Sequence, residues 1–219
     1  MNKSVCNLAA VLLTGFLSLT AVFSLTADNL DSPHMFLNNL TKDVVAVLNN
    51  NQKIIEKDPS QSSKIVEPII EPYISFDLMS SYIVGKKAWT EASADERKNF
   101  IREFKFLIMR TYSTTILAVI DGKIKYYPPK GGISGKERVQ VPSVVSLDSK
   151  KVRLMYRLVK EENTWKIYDI LVEKVSLVKG FRSQFAEIIQ KGKGVAGVIK
   201  ELKSFKGTKK DVLQIDKKW

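Results

Sequence analysis

Apolar residues recur along the first part of the chain with the spacing of helices. Between residues 33 and 50 they fall on one stripe, which predicts an amphipathic helix. That stripe consists of Phe36, Leu40, Val44, Val47 and Leu48. A second helix is predicted to open at Asp58-Pro59-Ser60. A third covers residues 74–84, with Gly85 as its expected C-cap and Trp89 in the connection that follows.

The longest predicted helix begins at a capping box. Ser93 is the expected N-cap, and Glu96 stands three positions later, where its carboxylate can reach back to the Ser93 amide. The helix runs to about Ile120 with one wide apolar face. That face contains Phe100, Phe104, Leu107, Ile108, Thr111, Tyr112, Thr115, Ile116 and Val119. Such a face either packs as core or lines a cavity, and the pattern fits both.

From residue 123 the apolar period changes from 3.6 to 2, which predicts strands. Four segments alternate in this way and are joined by short turns: residues 123–127, 137–147, 152–158 and 165–172. Pro142 predicts a bulge or an edge position, because proline has no N–H for a strand ladder. The last segment is apolar on both faces, so we expect a central, covered strand.

Two more helices are predicted after the strands. The first starts near Ser176 and ends at Gly192-Lys193-Gly194, and the second follows directly. Strands joined by short turns form an antiparallel meander. Helices before and after such a meander predict an α+β fold, with a twisted antiparallel sheet of four to five strands.

The N-terminal segment has the pattern of a secretory signal peptide. Lys3 precedes a nearly continuous apolar run over residues 8–25, and Ser24 and Ala27 are small residues suited to cleavage. A transmembrane anchor is the alternative, since the run is close to the minimum spanning length. We assign residues 1–27 to the signal peptide. The single cysteine, Cys6, lies within it, so the mature chain is expected to have no disulfide or thiol chemistry, which favours a periplasm.

The charge of the chain is strongly basic. The formal net charge is +12, and removal of Lys3, the one charged residue of the signal segment, leaves +11. Export argues against nucleic acid as the partner. Anionic lipid headgroups or an acidic protein face are the expected partners, and the alternative is that most lysines are simply solvated.

Few residues are suited to catalysis. The only histidine, His34, stands at a predicted helix start and has no partner cluster for a metal. GxSxG, HExxH and P-loop motifs are absent from the sequence. A carboxylate in an apolar cavity, from Asp77, Asp169 or Glu173, would suit a nuclear transport factor 2-like enzyme. The other interpretation is that Asp169 pairs with an arginine such as Arg157 or Arg182, or accepts backbone hydrogen bonds.

Several segments together resemble the MlaC family, also called the toluene-tolerance auxiliary family. The main resemblance lies in residues 165–173, 175–178 and 181–185. Upstream features agree: Phe76-Asp77, Val84-Gly85 with Trp89, the Phe100/Phe104/Leu107/Tyr112 helix and Tyr156-Arg157-Leu158. Two departures fall in the strand-to-helix corner. Glu173-Lys174 stands where the family has an acid followed by glycine, and Lys179-Gly180-Phe181 replaces its usual asparagine–tyrosine.

The resemblance implies a periplasmic phospholipid carrier that is not an enzyme. Such a carrier shuttles glycerophospholipids between the outer and inner membranes and so maintains outer-membrane lipid asymmetry. The implied partners are the MCE-domain subunit MlaD of an inner-membrane ABC transporter complex and the outer-membrane lipoprotein MlaA with its porin. The carrier is expected to be a monomer without a cofactor, with phospholipid as its cargo.

The resemblance also implies that the helices and the sheet enclose a hydrophobic cavity for acyl chains. We assign residues 28–205 to this lipid-binding domain and residues 206–219 to a basic tail. The predicted cavity residues are Phe100, Phe104, Leu107, Tyr112, Leu154, Tyr156, Ile170, Val172 and Phe185. Arg182 and Gln184 are predicted at the cavity mouth or a partner contact, with helix capping and packing as the alternative.

Overall fold

The protein is represented by a computed structural model that describes residues 32–121, 123–147 and 150–204. The helices of these residues are α1 (Pro33–Asn50), α2 (Gln52–Lys57), α3 (Gln61–Ile70), α4 (Phe76–Val84), α5 (Lys86–Glu91), α6 (Ala94–Asp121), α7 (Leu177–Ile188) and α8 (Gly194–Ser204). The strands are β1 (Lys123–Tyr126), β2 (Arg138–Leu147), β3 (Lys150–Glu161), β4 (Thr164–Val172) and β5 (Val175–Ser176). The predicted signal peptide and basic tail lie outside the described residues.

The five strands form one antiparallel sheet in chain order, β1-β2-β3-β4-β5. Among the described residues, six α-helices precede the sheet and two follow it. The predicted α+β meander is therefore confirmed. Short turns join β3 to β4 and β4 to β5, whereas the longer connection 127–137 joins β1 to β2. Each strand pairs with the strand next to it in the chain.

Of the two predictions for Pro142, a bulge or an edge position, the bulge is wrong. The β2–β3 register passes through the Pro142–Met155 pair without a shift, and the irregularity lies between Arg157 and Leu158, where β3 meets β4. Pro142 instead marks the end of the β1 ladder. Its carbonyl accepts a hydrogen bond from the Tyr127 amide at 2.9 Å, and proline has no N–H to continue the pairing.

Two groups of buried apolar residues stabilise the fold. The first, the sheet core, joins α1 to the sheet and contains Leu37, Leu40, Val139, Val141, Leu158, Trp165 and Ile167. The second, the helical core, joins α4–α8 and contains Ile83, Val84, Trp89, Ala92, Phe100, Phe104, Leu107, Val178, Phe181, Phe185, Val195, Val198, Ile199 and Leu202. The fold thus has two apolar centres, one on the sheet and one among the helices.

Local signals set the ends of several helices. The predicted capping box is confirmed: the Glu96 carboxylate accepts from the Ser93 amide at 2.8 Å, and the Glu96 amide donates to Ser93 Oγ at 3.2 Å. The Ser93 bonds lower the pKa of Glu96. The prediction for Trp89 is wrong, because it lies in α5 rather than in a connection. Gly85, at φ 86°, ends α4 and begins α5 without a linker.

The corner between the sheet and α7 contains the two departures from the family pattern. Glu173 and Lys174 both have positive φ, 46° and 76°, and form the two-residue turn between β4 and β5. Lys179 and Gly180 lie in the first turns of α7. Ser176 Oγ caps that helix by accepting a hydrogen bond from the Lys179 amide at 3.1 Å. The corner therefore forms without glycine at position 174, although lysine there is strained.

The described helices include none that is both long enough and apolar enough to cross a membrane.

Candidate functional site

An apolar cavity of about 360 Å³ lies between the sheet and the helices. Its wall is formed by α1, α3, α4, α6, α7 and three strands. The apolar lining residues are Leu37, Leu40, Val44, Val45, Val66, Ile70, Ile74, Phe76, Met79, Phe104, Ile108, Ile124, Tyr126, Leu154, Tyr156, Ile167, Ile170, Val172, Leu177, Val178 and Phe181. A volume of this size falls in the range of about 300–1,000 Å³ that is usual for small-molecule sites.

The backbone periodicity of each element places these side chains. On α1, Leu37, Leu40 and Val44 are three or four positions apart and so share one face. On β3, Leu154 and Tyr156 are two positions apart and therefore project from the same face of the sheet. Their cross-strand partners on β4 are Val172 and Ile170, which line the cavity beside them. The sheet thus contributes a continuous apolar floor.

The structure brings five of the nine predicted cavity residues to this wall. They are Phe104, Leu154, Tyr156, Ile170 and Val172. Their contact with a lipid remains a prediction.

Three other predicted cavity residues pack elsewhere. Phe100, Leu107 and Phe185 are buried in the helical core and are not part of the described cavity wall. The side chain of Tyr112 lies outside the described part of the chain. Phe100 and Phe104 lie on the same apolar face of α6. Which of the two rings faces the cavity therefore depends on the residues that pack around each ring.

Arg182 and Gln184 both lie on α7, away from the described cavity wall. The Arg182 guanidinium donates a hydrogen bond to the Tyr82 carbonyl near the end of α4, at 3.4 Å. This contact fits the helix-capping alternative. Gln184 is half-buried. Any contact of either residue with a partner protein stays a prediction.

Three hydroxyl groups contribute polarity to the cavity wall. Thr41 Oγ1 and the Tyr126 hydroxyl are hydrogen-bonded at 2.7 Å, and Tyr126 also bonds to Tyr156. Burial raises the pKa of Tyr156 well above its ordinary value, and burial also raises that of Tyr126. Both tyrosines are therefore neutral at neutral pH. The hydroxyls satisfy one another, and the wall around them is aliphatic and aromatic.

Asp169 is the carboxylate buried beside the cavity, with a relative exposure of 2%. It accepts hydrogen bonds from Arg157 Nη1 at 3.0 Å, Ser176 Oγ at 2.7 Å and the Val178 amide at 3.1 Å. Of the two arginines predicted to pair with Asp169, Arg157 and Arg182, it is Arg157 that does so. These bonds tie β4 to the start of α7, so Asp169 acts as a structural connection between the sheet and the helices.

The other two carboxylates considered for catalysis lie outside the cavity wall. Glu173 is exposed and pairs with Arg153, with Nη2 and Oε2 separated by 3.1 Å. A hydrogen bond from the Arg153 amide is the main cause of the lowered pKa of Glu173. Asp77 lies in a neighbouring depression at the surface. The described residues contain no group of three metal-ligating side chains.

Charged residues mark one end of the cavity. Lys105 on α6 forms an ion pair with Glu71, and its ammonium lies 4.7 Å from the centre of the Phe76 ring. Glu71, Ile74, Phe76 and Lys105 line both the cavity and the depression outside it. The cavity and the depression therefore adjoin at these four residues, and this end of the cavity is here called its mouth.

The sequence patterns do not predict that α1, α3 and the mouth belong to the site. A signal existed for α1, because Leu40 and Val44 belong to its predicted apolar stripe and both line the cavity. For the mouth no local signal exists. Lys105 and Glu71 are 34 positions apart in the sequence and meet only in the folded chain.

Known proteins resemble this chain in sequence over most of its length. The family model described as MlaC protein matches residues 38–204. The chain is 24% identical over 182 residues to the toluene tolerance protein ttg2D of Pseudomonas putida, covering 83% of this chain and 84% of that protein. It is 22% identical over 163 residues to the intermembrane phospholipid transport system binding protein MlaC of Haemophilus influenzae, covering 73% and 76%.

A solved structure shares the fold. It is a phospholipid-binding protein from Ralstonia solanacearum, determined in complex with a phospholipid, and it matches with a TM-score of 0.71. The two chains are 24% identical, and the match covers 84% of this chain and 99% of the other.

Proposed function

The chain belongs to the MlaC family, and from this premise we propose that it is a periplasmic carrier that takes glycerophospholipids between the outer and inner membranes. The cavity between the sheet and the helices is the observation that carries this proposal. Two of the similar proteins are named for phospholipid binding or transport. The signal-peptide pattern of residues 1–27 supports export.

The energetics of the cavity suit acyl chains. Each methylene transferred from water to an apolar wall contributes about 0.8 kcal/mol, so a long chain binds without directional chemistry. Tyr126 and Tyr156 are neutral, and their hydroxyls already have partners. Asp169 is engaged with Arg157, Ser176 and the Val178 amide, so the carboxylate next to the cavity has a structural role. These features favour a carrier without catalysis.

The partners follow from the family. We propose that the carrier exchanges lipid with the MCE-domain subunit MlaD of an inner-membrane ABC transporter complex and with the outer-membrane lipoprotein MlaA and its porin. Through these exchanges it would maintain the lipid asymmetry of the outer membrane. We propose that it acts as a monomer, and the lining of the cavity by residues of a single chain supports this.

Lipid extraction tests the proposal. Protein purified from a cell envelope without detergent is extracted with organic solvent, and phospholipid per protein is measured by mass spectrometry. We expect at least about one phospholipid per chain. Ile170→Trp, which fills the cavity from the β4 wall, should reduce this ratio severalfold, because overpacking leaves no space for an acyl chain.

The matched control is Val175→Trp, at an exposed position on β5 outside the cavity wall. It should leave the ratio unchanged, and circular dichroism should confirm that both variants are folded. Wild-type protein that carries no phospholipid would contradict the proposal. So would an Ile170→Trp variant that is folded and carries as much lipid as the wild type.

A further inference from the structure

The depression outside the cavity mouth, here called the vestibule, has a volume of about 450 Å³. Its wall contains Glu71, Pro72, Ile74, Ser75, Phe76, Asp77, Ile101, Lys105, Glu161 and Lys166. Four of these residues also line the apolar cavity. A lipid that enters the cavity from this end would have its headgroup in the vestibule, since the phosphate is only a few bonds from the acyl chains.

The vestibule presents two ammonium groups, each beside a carboxylate. Lys105 pairs with Glu71, and Lys166 Nζ lies 3.4 Å from Glu161 Oε2. Both lysine side chains are only 21% exposed. The geometry of the second pair is held by Ser75, whose hydroxyl donates to the other Glu161 oxygen at 2.6 Å. Among the described residues, Lys105 is the only cation on the cavity wall.

The vestibule contains nearly equal numbers of positive and negative side chains, with one more carboxylate than ammonium group. Lys105 and Lys166 face three carboxylates: Glu71, Asp77 and Glu161. We propose that the vestibule selects zwitterionic phospholipid headgroups, such as phosphoethanolamine, over anionic ones. In this arrangement the lipid phosphate forms ion pairs with the lysine ammonium groups, and the headgroup ammonium forms ion pairs with the carboxylates. The inference rests on the proposed carrier function.

Electrostatics explains the selection. An anionic headgroup supplies a phosphate without a cation, so its approach to Lys105 and Lys166 brings it against Glu71 and Glu161. Separating these carboxylates from their lysines would leave unpaired charge at a partly buried site, which costs more than it does in water. A zwitterion brings both signs and leaves every charge with a partner. The expected discrimination is modest, because the carboxylates are partly solvated.

A competition between two headgroups tests the proposal. Purified full-length protein is incubated with vesicles of equimolar phosphatidylethanolamine and phosphatidylglycerol with identical acyl chains, re-isolated, extracted and analysed by mass spectrometry. We expect phosphatidylethanolamine to be enriched about threefold over phosphatidylglycerol, the order of preference that partly solvated ion pairs provide. Bound lipid in the same proportion as the vesicles, or enriched in phosphatidylglycerol, overturns the inference.

A double variant identifies the residues responsible. Glu71→Gln with Glu161→Gln keeps the shape of both side chains and removes two carboxylates from the vestibule. The lipid ratio should fall to about one or reverse, since the lysines are then free to hold an anionic phosphate. A folded double variant that keeps the wild-type enrichment contradicts the assignment to these residues.

The matched control removes the same net charge elsewhere. Glu91→Gln with Glu187→Gln alters two exposed helix residues outside the vestibule and should leave the enrichment unchanged. Total phospholipid per chain separates the two hypotheses. Protein that takes up no lipid contradicts the carrier function, whereas protein that takes up both lipids without preference contradicts only the selection.

Discussion

The helical core and the cavity wall use similar apolar side chains but pack them differently. In the helical core, consecutive aromatic contacts fill the space: the ring centres of Phe100 and Phe104 are 5.7 Å apart, and those of Phe104 and Phe181 are 5.1 Å apart. In the cavity wall, Leu154 and Ile170 are held by the hydrogen-bonded register of the sheet. The register fixes the backbone positions of these side chains, which border the open space of the cavity.

The two regions meet at shared residues. Phe104, Val178 and Phe181 belong both to the helical core and to the cavity wall. Asp169 joins the regions by hydrogen bonds from β4 to the start of α7. Apolar composition alone therefore does not distinguish a packed core residue from a residue of the cavity wall. The difference lies in whether a side chain has a neighbour on its inner side.

Truncating one leucine in each region gives the largest expected effect. Leu107→Ala in the helical core should lower the free energy of unfolding by about 4 kcal/mol, because it opens a new cavity in close-packed surroundings. Leu154→Ala on the cavity wall should lower it by about 2 kcal/mol, since that side chain already borders empty space. Urea denaturation of lipid-free protein measures both values.

The two variants serve as controls for each other, because both replace a leucine with alanine. Equal losses for the two leucines would remove the distinction between a packed region and an open one. A larger loss for Leu154→Ala would reverse it.

Breaking the connection between the regions has the next largest effect. Asp169→Asn removes the charge that meets Arg157 at a buried site, and it should lower the free energy of unfolding by about 3 kcal/mol. The cavity wall itself keeps its shape, so folded protein should retain its phospholipid. Denaturation curves and lipid extraction of the same sample test both expectations, and a stable variant without lipid would instead indicate a direct role in binding.

Glu173→Gln, in the exposed turn that follows the same strand, is the control. The pKa of Glu173 is lowered in the folded protein, so its contribution to stability is present above its ordinary pKa. That contribution disappears as the pH falls through the lowered value. We therefore expect a loss much smaller than that of Asp169→Asn, seen near neutral pH and absent in acid. The stabilities of the variant and the wild type are compared across this pH range.

The smallest effect concerns the turn that leads from the sheet to α7. Lys174 has a φ of 76°, where glycine avoids the steric cost that other residues meet. Lys174→Gly should raise the free energy of unfolding by about 0.5 kcal/mol, the balance between relieved strain and greater freedom of the unfolded chain. Thermal denaturation measures the change.

Lys200→Gly in α8 provides the matched comparison, because the same substitution in a helix should destabilise by about 1 kcal/mol. A loss at both positions would show that the turn does not strain Lys174.

Much of the fold was predictable from local patterns. The Ser93–Glu96 capping box set the start of α6, and the alternation of apolar residues identified the main strands. Other features depended on partners distant in the sequence. The irregularity near Arg157 arises where β3 meets β4, and Trp89 joined a helix because Gly85 allows two helices to meet without a linker.

The candidate site was predictable only in part. The sequence by itself determined which residues are apolar and on which face of their element they lie, because periodicity is a property of the local backbone. Only the tertiary structure decided that Phe104 faces the cavity whereas Phe100 packs in the helical core. It also brought Lys105 to Glu71 and Ser75 to Glu161 at the mouth. These outcomes depend on the packing of separate elements against one another, which no local pattern encodes.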